Sequence, residues 1–242
     1  MVAVLVEAEF LDRTGRRVKA PVGALAGEPL EERGPVWQPA AHRGSRATTT
    51  LWWAATTRKP VGFAGLERQR VAVELDFDRC VVAFSGAPVR LSWTCGGRDE
   101  TVVADFVARQ ASGSRLLVLC PPARTARREE RWGETQEVLR EVCSAAGWRL
   151  HLPGPSSAVR TGNLYRAAQF RHPRHWDAAG AQALLAAFAR PRPLREGALD
   201  AGLPALSALA RAYHLLWRQR LSFDWETPLV PTSVVSAAGG AR

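Results

Sequence analysis

The chain has 242 residues, 46% of them hydrophobic and 23% charged, which excludes a disordered chain and predicts a packed core. The formal net charge is +10, and every basic residue except Lys19 and Lys59 is an arginine. A GC-rich genome would explain arginine in place of lysine, but it would not explain the net excess. Because guanidinium groups bind phosphate through paired hydrogen bonds, the charge favours double-stranded DNA as a partner.

The cysteines and the apolar runs exclude other classes of protein. Cys80, Cys95, Cys120 and Cys143 show no C-x-x-C spacing, so a zinc site or a disulfide framework is not expected. No apolar run reaches the roughly 18 residues that a membrane span requires, and the N-terminal "MVAVLVEAEF" lacks a basic region and a cleavage site. The sequence therefore predicts a cytoplasmic protein with reduced thiols.

The first 75 residues predict two strands and one helix. Alternating valines in "MVAVLVEAEF" and the β-branched and aromatic residues of "TTTLWWAAT" (48–56) are typical of strands. Residues 11–46 mix glycine, proline and arginine without a period, which predicts an irregular arm. Apolar residues between Val61 and Leu75 recur at helical spacing, so Glu67 is expected on a helix.

The next segment predicts a layered α/β core over residues 47–152. Strands are expected at "CVVAFS" and "VRLSWTC", followed by a hairpin within 102–122 that turns at "ASGS" and whose first strand opens at Asp105. Residues 125–148 have a helical pattern that ends at Gly147, and "RLHL" (149–152) predicts a final strand. This order of elements is consistent with one sheet-and-helix domain.

The last part of the chain is predominantly helical. "PGPSSAVRTG" (153–162) is typical of a linker, and "NLYRAAQFRHPR", "DAAGAQALLAAFAR" and "LPALSALARAYHLLWRQR" predict helices. Two short β segments, "LSFDW" and "TSVV", follow them. Helices followed by a small β-ribbon predict a winged-helix-like domain over residues 163–242, after an N-terminal strand and arm over 1–46.

Two carboxylates are candidates for catalysis. Glu67 on a helix and Asp105 at a strand start could converge on one Mg²⁺, which would polarise a phosphodiester and activate water. The alternative is structural, because a glutamate beside Arg68 and Arg70 also suits a solvated helix face, and an aspartate before a strand also suits a turn.

The ordered motifs "LWWAATTRKPVGFAGLERQRVAVELDFD", "VRLSW", "ADFVAR" and "NLYRAAQFRHPRHW" resemble actinobacterial TnsA-like proteins, the endonuclease subunits of heteromeric cut-and-paste transposases. The resemblance runs from about residue 48 to "ETPLVPTSVV". It implies a restriction-endonuclease-like α/β core followed by a small winged-helix-like domain. It also implies Mg²⁺-dependent cleavage at transposon DNA ends, with a DDE-type transposase subunit and an AAA+ regulator ATPase as partners.

The resemblance assigns metal binding to Glu67 of "LE" and to Asp105 of "DF". The third family element has a glutamine or acidic residue, any residue, then lysine and proline, whereas this chain has Leu119, Cys120, Pro121 and Pro122. Pro121 therefore stands in place of the lysine that orients water and stabilises charge on the phosphate. Arg115, Arg124 or Arg127 could supply positive charge instead, although a guanidinium cannot accept a proton.

The C-terminal arginines are the candidate DNA contacts. They are Arg166, Arg171, Arg174, Arg211, Arg218 and Arg220. The last three lie on a predicted helix that could be a recognition helix, a core helix burying Leu209, Tyr213, Leu216 and Trp217 with solvated arginines opposite, or both. "HPRH" (172–175) places two histidines three residues apart without accompanying thiolates, which favours a basic surface loop over a zinc site.

Three functions remain open at this stage. The first is a TnsA-like endonuclease subunit, and the second is a related subunit that binds DNA and partner proteins without cutting. The third is a DNA-binding regulator built on the C-terminal domain. Residues 119–121 favour the second over the first in their chemistry, and the third leaves the nuclease-like core without a role.

Overall fold

A computed structural model of the chain describes residues 5–37, 49–121 and 126–239, without the side chains of residues 49 and 126–130. The chain divides into an N-terminal unit, Met1–Gly154, and a C-terminal unit, Pro155–Arg242. Both contain helices and sheets, so the predicted mixed α/β class is confirmed. No helix in the described ranges combines the length and the apolar character needed to span a membrane.

The N-terminal unit contains most of the β-structure. Its elements are β1 (Val6–Leu11), β2 (Arg17–Pro21), β3 (Thr49–Ala54), β4 (Lys59–Ala64), α1 (Leu66–Phe77), β5 (Val81–Gly86), β6 (Val89–Cys95), β7 (Arg98–Val103), β8 (Phe106–Gln110), β9 (Arg115–Val118), α2 (Ala126–Ala146) and β10 (Arg149–His151). Two four-stranded sheets have the orders β2-β1-β6-β7 and β10-β9-β8-β5, and β3 pairs with β4. Among the strands of the described ranges, the β9–β10 pair alone is parallel, and α2 supplies the crossover that a parallel pair requires.

The predicted irregular arm is wrong for residues 11–37, and residues 38–48 lie outside the described ranges. Asp12 Oδ1 accepts the N–H groups of Thr14 (2.8 Å) and Arg16 (3.0 Å), which closes the β1–β2 hairpin. Two short 3₁₀ helices, Val22–Gly27 and Leu30–Glu32, then bury Leu25 and Leu30 completely. The apolar residues of this segment follow neither a helical nor a strand period, so periodicity could not reveal their burial.

The predicted helix over residues 61–75 is corrected at its start. Val61 and Phe63 are buried alternately in β4, and α1 begins only at Leu66, after Gly65 at φ 91°. The strand forms because β3 pairs with it along its whole length. Gly86 of β5 approaches the same strand so closely that a Cβ there would lie 2.1 Å from the carbonyl oxygen of Gly62. These contacts place the start of α1 beside the second sheet.

Asp76 of α1 holds the β3–β4 hairpin against the helix. Its carboxylate is 5% exposed and accepts hydrogen bonds from Trp52 Nε1 (3.0 Å) and from the N–H groups of Ala55 (3.0 Å) and Thr56 (2.8 Å). Three donors compensate for the burial of one charge.

The Asp76→Ala substitution is expected to lower the free energy of unfolding by about 2–3 kcal/mol, because three buried donors lose their acceptor. Urea denaturation followed by circular dichroism measures this loss. Asp78→Ala is the matched control, since the exposed carboxylate of Asp78 accepts the N–H of the nearby Cys80 (2.8 Å), and its cost is expected to stay below about 1 kcal/mol. Equal losses in the two variants would contradict a clamping role for Asp76.

The C-terminal unit begins earlier than the predicted residue 163. Its elements are α3 (Ala158–Ala168), α4 (Ala178–Ala187), β11 (Arg192–Pro193), α5 (Leu194–Asp200), α6 (Ala205–Trp217), β12 (Leu221–Ser222) and β13 (Val234–Ala237). The predicted linker over 153–162 is wrong from residue 158 onwards, because Ser157 caps α3 by accepting the N–H of Arg160 at 3.0 Å. The small sheet has the order β11-β13-β12.

Helix α6 lies at the centre of this unit. It packs against α3, α4 and α5, and it buries Leu215, Leu216 and Trp217. Asn163 of α3 ties down the loop between β12 and β13: its Nδ2 donates to the carbonyl of Trp225 (2.9 Å) and its Oδ1 accepts the N–H of Leu229 (2.8 Å). Each of the three predicted helical segments contains a helix, and the two short β segments are confirmed. However, α3 ends at Ala168, so the last residues of "NLYRAAQFRHPR" are not α-helical, and α5 was not predicted.

Candidate functional site

Asp105 lies immediately before β8, and its side chain is 7% exposed. Its backbone N–H donates to Val118 O (3.0 Å), and its carbonyl accepts the N–H of Ala87 (3.0 Å). Both carboxylate oxygens have partners, since Oδ1 accepts from Arg68 Nε at 2.5 Å and Oδ2 accepts from the N–H of Cys120 at 2.6 Å. These two donors compensate for the burial of the charge.

Glu67 occupies the first turn of α1, and Arg70 holds it. The Arg70 guanidinium donates to both oxygens of Glu67, through Nε at 3.2 Å and through Nη2. It also contacts both oxygens of Glu74, at 2.8 and 2.9 Å, and the carbonyl of Gly154 at 2.9 Å. The hydrogen bond from Arg70, aided by the charges of Arg70 and Arg68, holds the pKa of Glu67 below its usual value.

Residues 119–121, which the resemblance aligns with the third element of the family, follow β9. Leu119 is 4% exposed and lies in the hydrophobic core with Leu117, so its side chain does not reach Asp105. Cys120 is the residue of this segment that meets Asp105. Burial, followed by the nearby Asp105 charge, raises the pKa of the Cys120 thiol, which keeps the sulfur protonated. Pro121 is exposed and has no N–H to offer.

The residues as arranged do not fit the Mg²⁺ ion that the family resemblance implies. Mg²⁺ requires oxygen ligands in near-octahedral geometry, whereas guanidinium groups hold both oxygens of Glu67 and Oδ1 of Asp105, so an ion at either carboxylate would compete with an arginine. A guanidinium supplies the positive charge beside Asp105.

Arg68 is the functional candidate that the sequence reasoning missed. Its side chain is 41% exposed, and its two terminal nitrogens make no hydrogen bond to the described residues, so they can reach a ligand. The available signal was its position next to Glu67 in "LERQR". Arg115 instead pairs with buried Glu31 at 3.2 Å, and Arg124 and the side chain of Arg127 lie outside the described ranges.

The six C-terminal arginines fall into two groups of three. The first group makes contacts inside the unit: Arg166 with Leu229 O (2.8 Å), Arg171 with Ala168 O (2.7 Å) and Arg211 with Asp177 (3.6 Å). The second group is exposed and consists of Arg174, Arg218 and Arg220. Because α6 is packed on several sides, the core interpretation of this helix applies, with Leu216 and Trp217 buried and Leu209 and Tyr213 partly buried.

The "HPRH" loop is organised by arginine. The N–H of Arg174 donates to His172 Nδ1 (3.0 Å), and Arg174 Nε donates to His175 Nε2 (3.2 Å). One nitrogen of each imidazole is therefore occupied. The geometry suits a basic surface loop.

The sequence matches no protein-family model, and it shows no similarity to a curated protein.

Proposed function

We propose that the chain is a TnsA-like subunit of a heteromeric cut-and-paste transposase, which binds DNA at transposon ends through a restriction-endonuclease-like core with a degenerate cleavage site. The observation that carries the proposal is the contact of Arg68 with Asp105. The elements that an endonuclease would use to hold a metal, the start of α1 and the start of β8, are present, and the partly exposed Arg68 guanidinium contacts the Asp105 carboxylate.

The architecture of each unit supports the proposal. In the N-terminal unit, the β8–β9 hairpin carries Asp105 into a mixed sheet whose parallel strand follows α2. In the C-terminal unit, helices followed by a small three-stranded sheet of order β11-β13-β12 support the proposal of a winged-helix-like module.

The chemistry favours binding over cutting. Arg68 can attract a phosphate, but it is always protonated and cannot act as a base. Residue 121 is a proline rather than a lysine, and the Cys120 thiol is not a metal ligand in its protonated form. Cleavage of the DNA would then fall to a DDE-type transposase, and control of the complex to an AAA+ ATPase, in the cytoplasm. We expect genes for both beside the gene for this chain.

Affinity for double-stranded DNA is expected to fall steeply as salt rises. The exposed candidate arginines of the C-terminal unit, Arg174, Arg218 and Arg220, would contribute a slope of about −2.7 in a plot of log affinity against log salt, or roughly a 40-fold loss when the salt concentration rises fourfold. Fluorescence anisotropy with a labelled duplex measures the slope.

Two arginines of the α6 region provide a matched pair for this experiment. Exposed Arg218, changed to alanine, should reduce the slope by about 0.9, since one phosphate contact is lost. Arg211→Ala should leave the slope unchanged, because Asp177 already pairs with this side chain. The absence of binding at low salt would contradict the proposed function.

A further inference from the structure

An exposed tryptophan of the C-terminal unit lies beside a cluster of aromatic side chains. Trp176 follows the short 3₁₀ helix Pro173–His175 and is 45% exposed. Its ring centroid lies 6.1 Å from that of His214, which is buried and whose Nδ1 is 2.7 Å from Phe170 O. Phe170 in turn stacks on Tyr213, with a centroid distance of 5.0 Å and an interplanar angle of 13°. The contact with His214 covers part of the indole, and the rest is open to solvent.

Positive charge surrounds this indole. Exposed Arg174 is fixed by its hydrogen bonds to His172 and His175, and exposed Arg218 follows His214 by one helical turn. The ring centroid of His175 lies 6.5 Å from that of His214, so both imidazoles adjoin Trp176. Burial and the nearby charges of Arg174 and His172 lower the pKa of His175. We call His172, Arg174, His175, Trp176 and Arg218 the Trp176 patch.

The acidic residue beside the patch does not cancel its charge. Asp177 follows Trp176, and its Oδ2 accepts the N–H of Gly180 at 2.8 Å as the N-cap of α4. The same oxygen lies 3.6 Å from Arg211, so its charge is already compensated. A polyanion would therefore meet the arginines without a competing free carboxylate from this residue.

We infer that the Trp176 patch binds single-stranded DNA, with an unpaired base stacked on Trp176 and the adjoining phosphates held by Arg174 and Arg218. An aromatic face beside arginines is how proteins hold unpaired nucleotides, because every base offers a flat face whatever its identity. Bases inside a duplex are already stacked on each other, so Trp176 would gain little from blunt DNA. The inference rests on the proposed function for DNA as the partner, and it adds the kind of DNA and the residues that hold it.

The test compares two labelled DNAs by fluorescence anisotropy. One is a blunt duplex of about 20 base pairs, and the other is the same duplex with a single-stranded extension of about four thymidines, which is within the length that one small module covers. The unaltered protein is expected to bind the extended DNA about tenfold more tightly, as one base stack would provide. Trp176→Leu should remove this preference, and Trp176→Phe should keep most of it.

The Phe and Leu variants both retain an apolar side chain over His214, so their comparison isolates the aromatic face from packing. Trp37→Ala is the control, since Trp37 is 46% exposed but belongs to the N-terminal unit; it should retain the preference. The inference about the Trp176 patch, but not the proposed function, would be overturned by either of two results. One is equal affinity of the unaltered protein for both DNAs, and the other is an equal preference for the extended DNA in the Phe and Leu variants. Failure to bind either DNA would overturn the proposed function as well.

Discussion

Purified protein supplied with Mg²⁺ or Mn²⁺ is expected to leave supercoiled plasmid intact, or to nick it extremely slowly. Loss of one charge-stabilising group typically lowers the rate by about two to three orders of magnitude, or roughly 3–4 kcal/mol of barrier. Under the proposed function, Pro121 stands where an active subunit would have a lysine, and Arg68 also occupies Oδ1 of Asp105. Gel electrophoresis of the plasmid over several hours measures the nicked fraction.

Two substitutions should restore part of this activity. Pro121→Lys returns the ammonium group at an exposed position that tolerates a side chain, and Arg68→Ala releases the Asp105 oxygen. Together they are expected to raise nicking above the level of the unaltered protein. Adding Leu119→Gln is not expected to help. Leu119 lies in the core, where an amide without partners would cost about 1–3 kcal/mol.

Two aspartate substitutions serve as controls for the restored nicking activity. Adding Asp105→Ala to the double variant should abolish the gain, whereas adding Asp99→Ala should not, since Asp99 is exposed on β7 and bonds only Thr94 Oγ1 (2.8 Å). Strong cutting by the unaltered protein that depends on Glu67 and Asp105 would refute the degenerate site. It would assign Arg68 the charge-stabilising role of the lysine.

The second large effect is expected from Arg68→Ala by itself. In metal-free buffer, Asp105 would keep a buried charge with one donor fewer, and the free energy of unfolding should fall by about 2–3 kcal/mol, less than for a fully buried pair because Arg68 is partly exposed. The emptied position should then accept Mn²⁺ at the oxygen that Arg68 held. Mn²⁺ at about 100 times its dissociation constant would restore roughly 2.7 kcal/mol.

Urea denaturation in EDTA and in Mn²⁺ measures both parts of this prediction. The unaltered protein should show no stabilisation by Mn²⁺, and neither should the double variant Arg68→Ala with Asp105→Asn, which lacks the charged ligand. Equal stabilisation of the unaltered protein and of Arg68→Ala would show that the guanidinium and the ion do not compete for Asp105.

Elements with a strong local signal could be predicted from the sequence. Strands β5 and β6 follow runs of β-branched residues, and α2 ends as expected before Gly147, whose φ of 69° suits glycine. The hairpin turn after β8 was also placed correctly. In these segments the residues themselves favour the conformation, so tertiary contacts only reinforce it.

Elements whose signal depends on a distant partner could not be predicted. Strand β4 exists because β3 pairs with it, and the 3₁₀ helices of residues 22–32 exist because Leu25 and Leu30 enter the core. β7 also went unassigned, since "RDETVV" has few apolar residues and is held by its pairing with β6. Pairing across a sheet joins residues far apart in the chain, so a window of neighbouring residues does not contain it.

The sequence by itself determined the net basic charge, the proline at position 121, and the presence of Glu67 in "LE" and of Asp105 in "DF". Only the tertiary structure decided what those carboxylates contact. Strand alternation turns Leu119 into the core and Cys120 towards Asp105, and the packing of α1 brings Arg68 onto the buried carboxylate. A carboxylate is buried only where another element supplies its hydrogen-bond donors. Its partners therefore depend on which elements pack together.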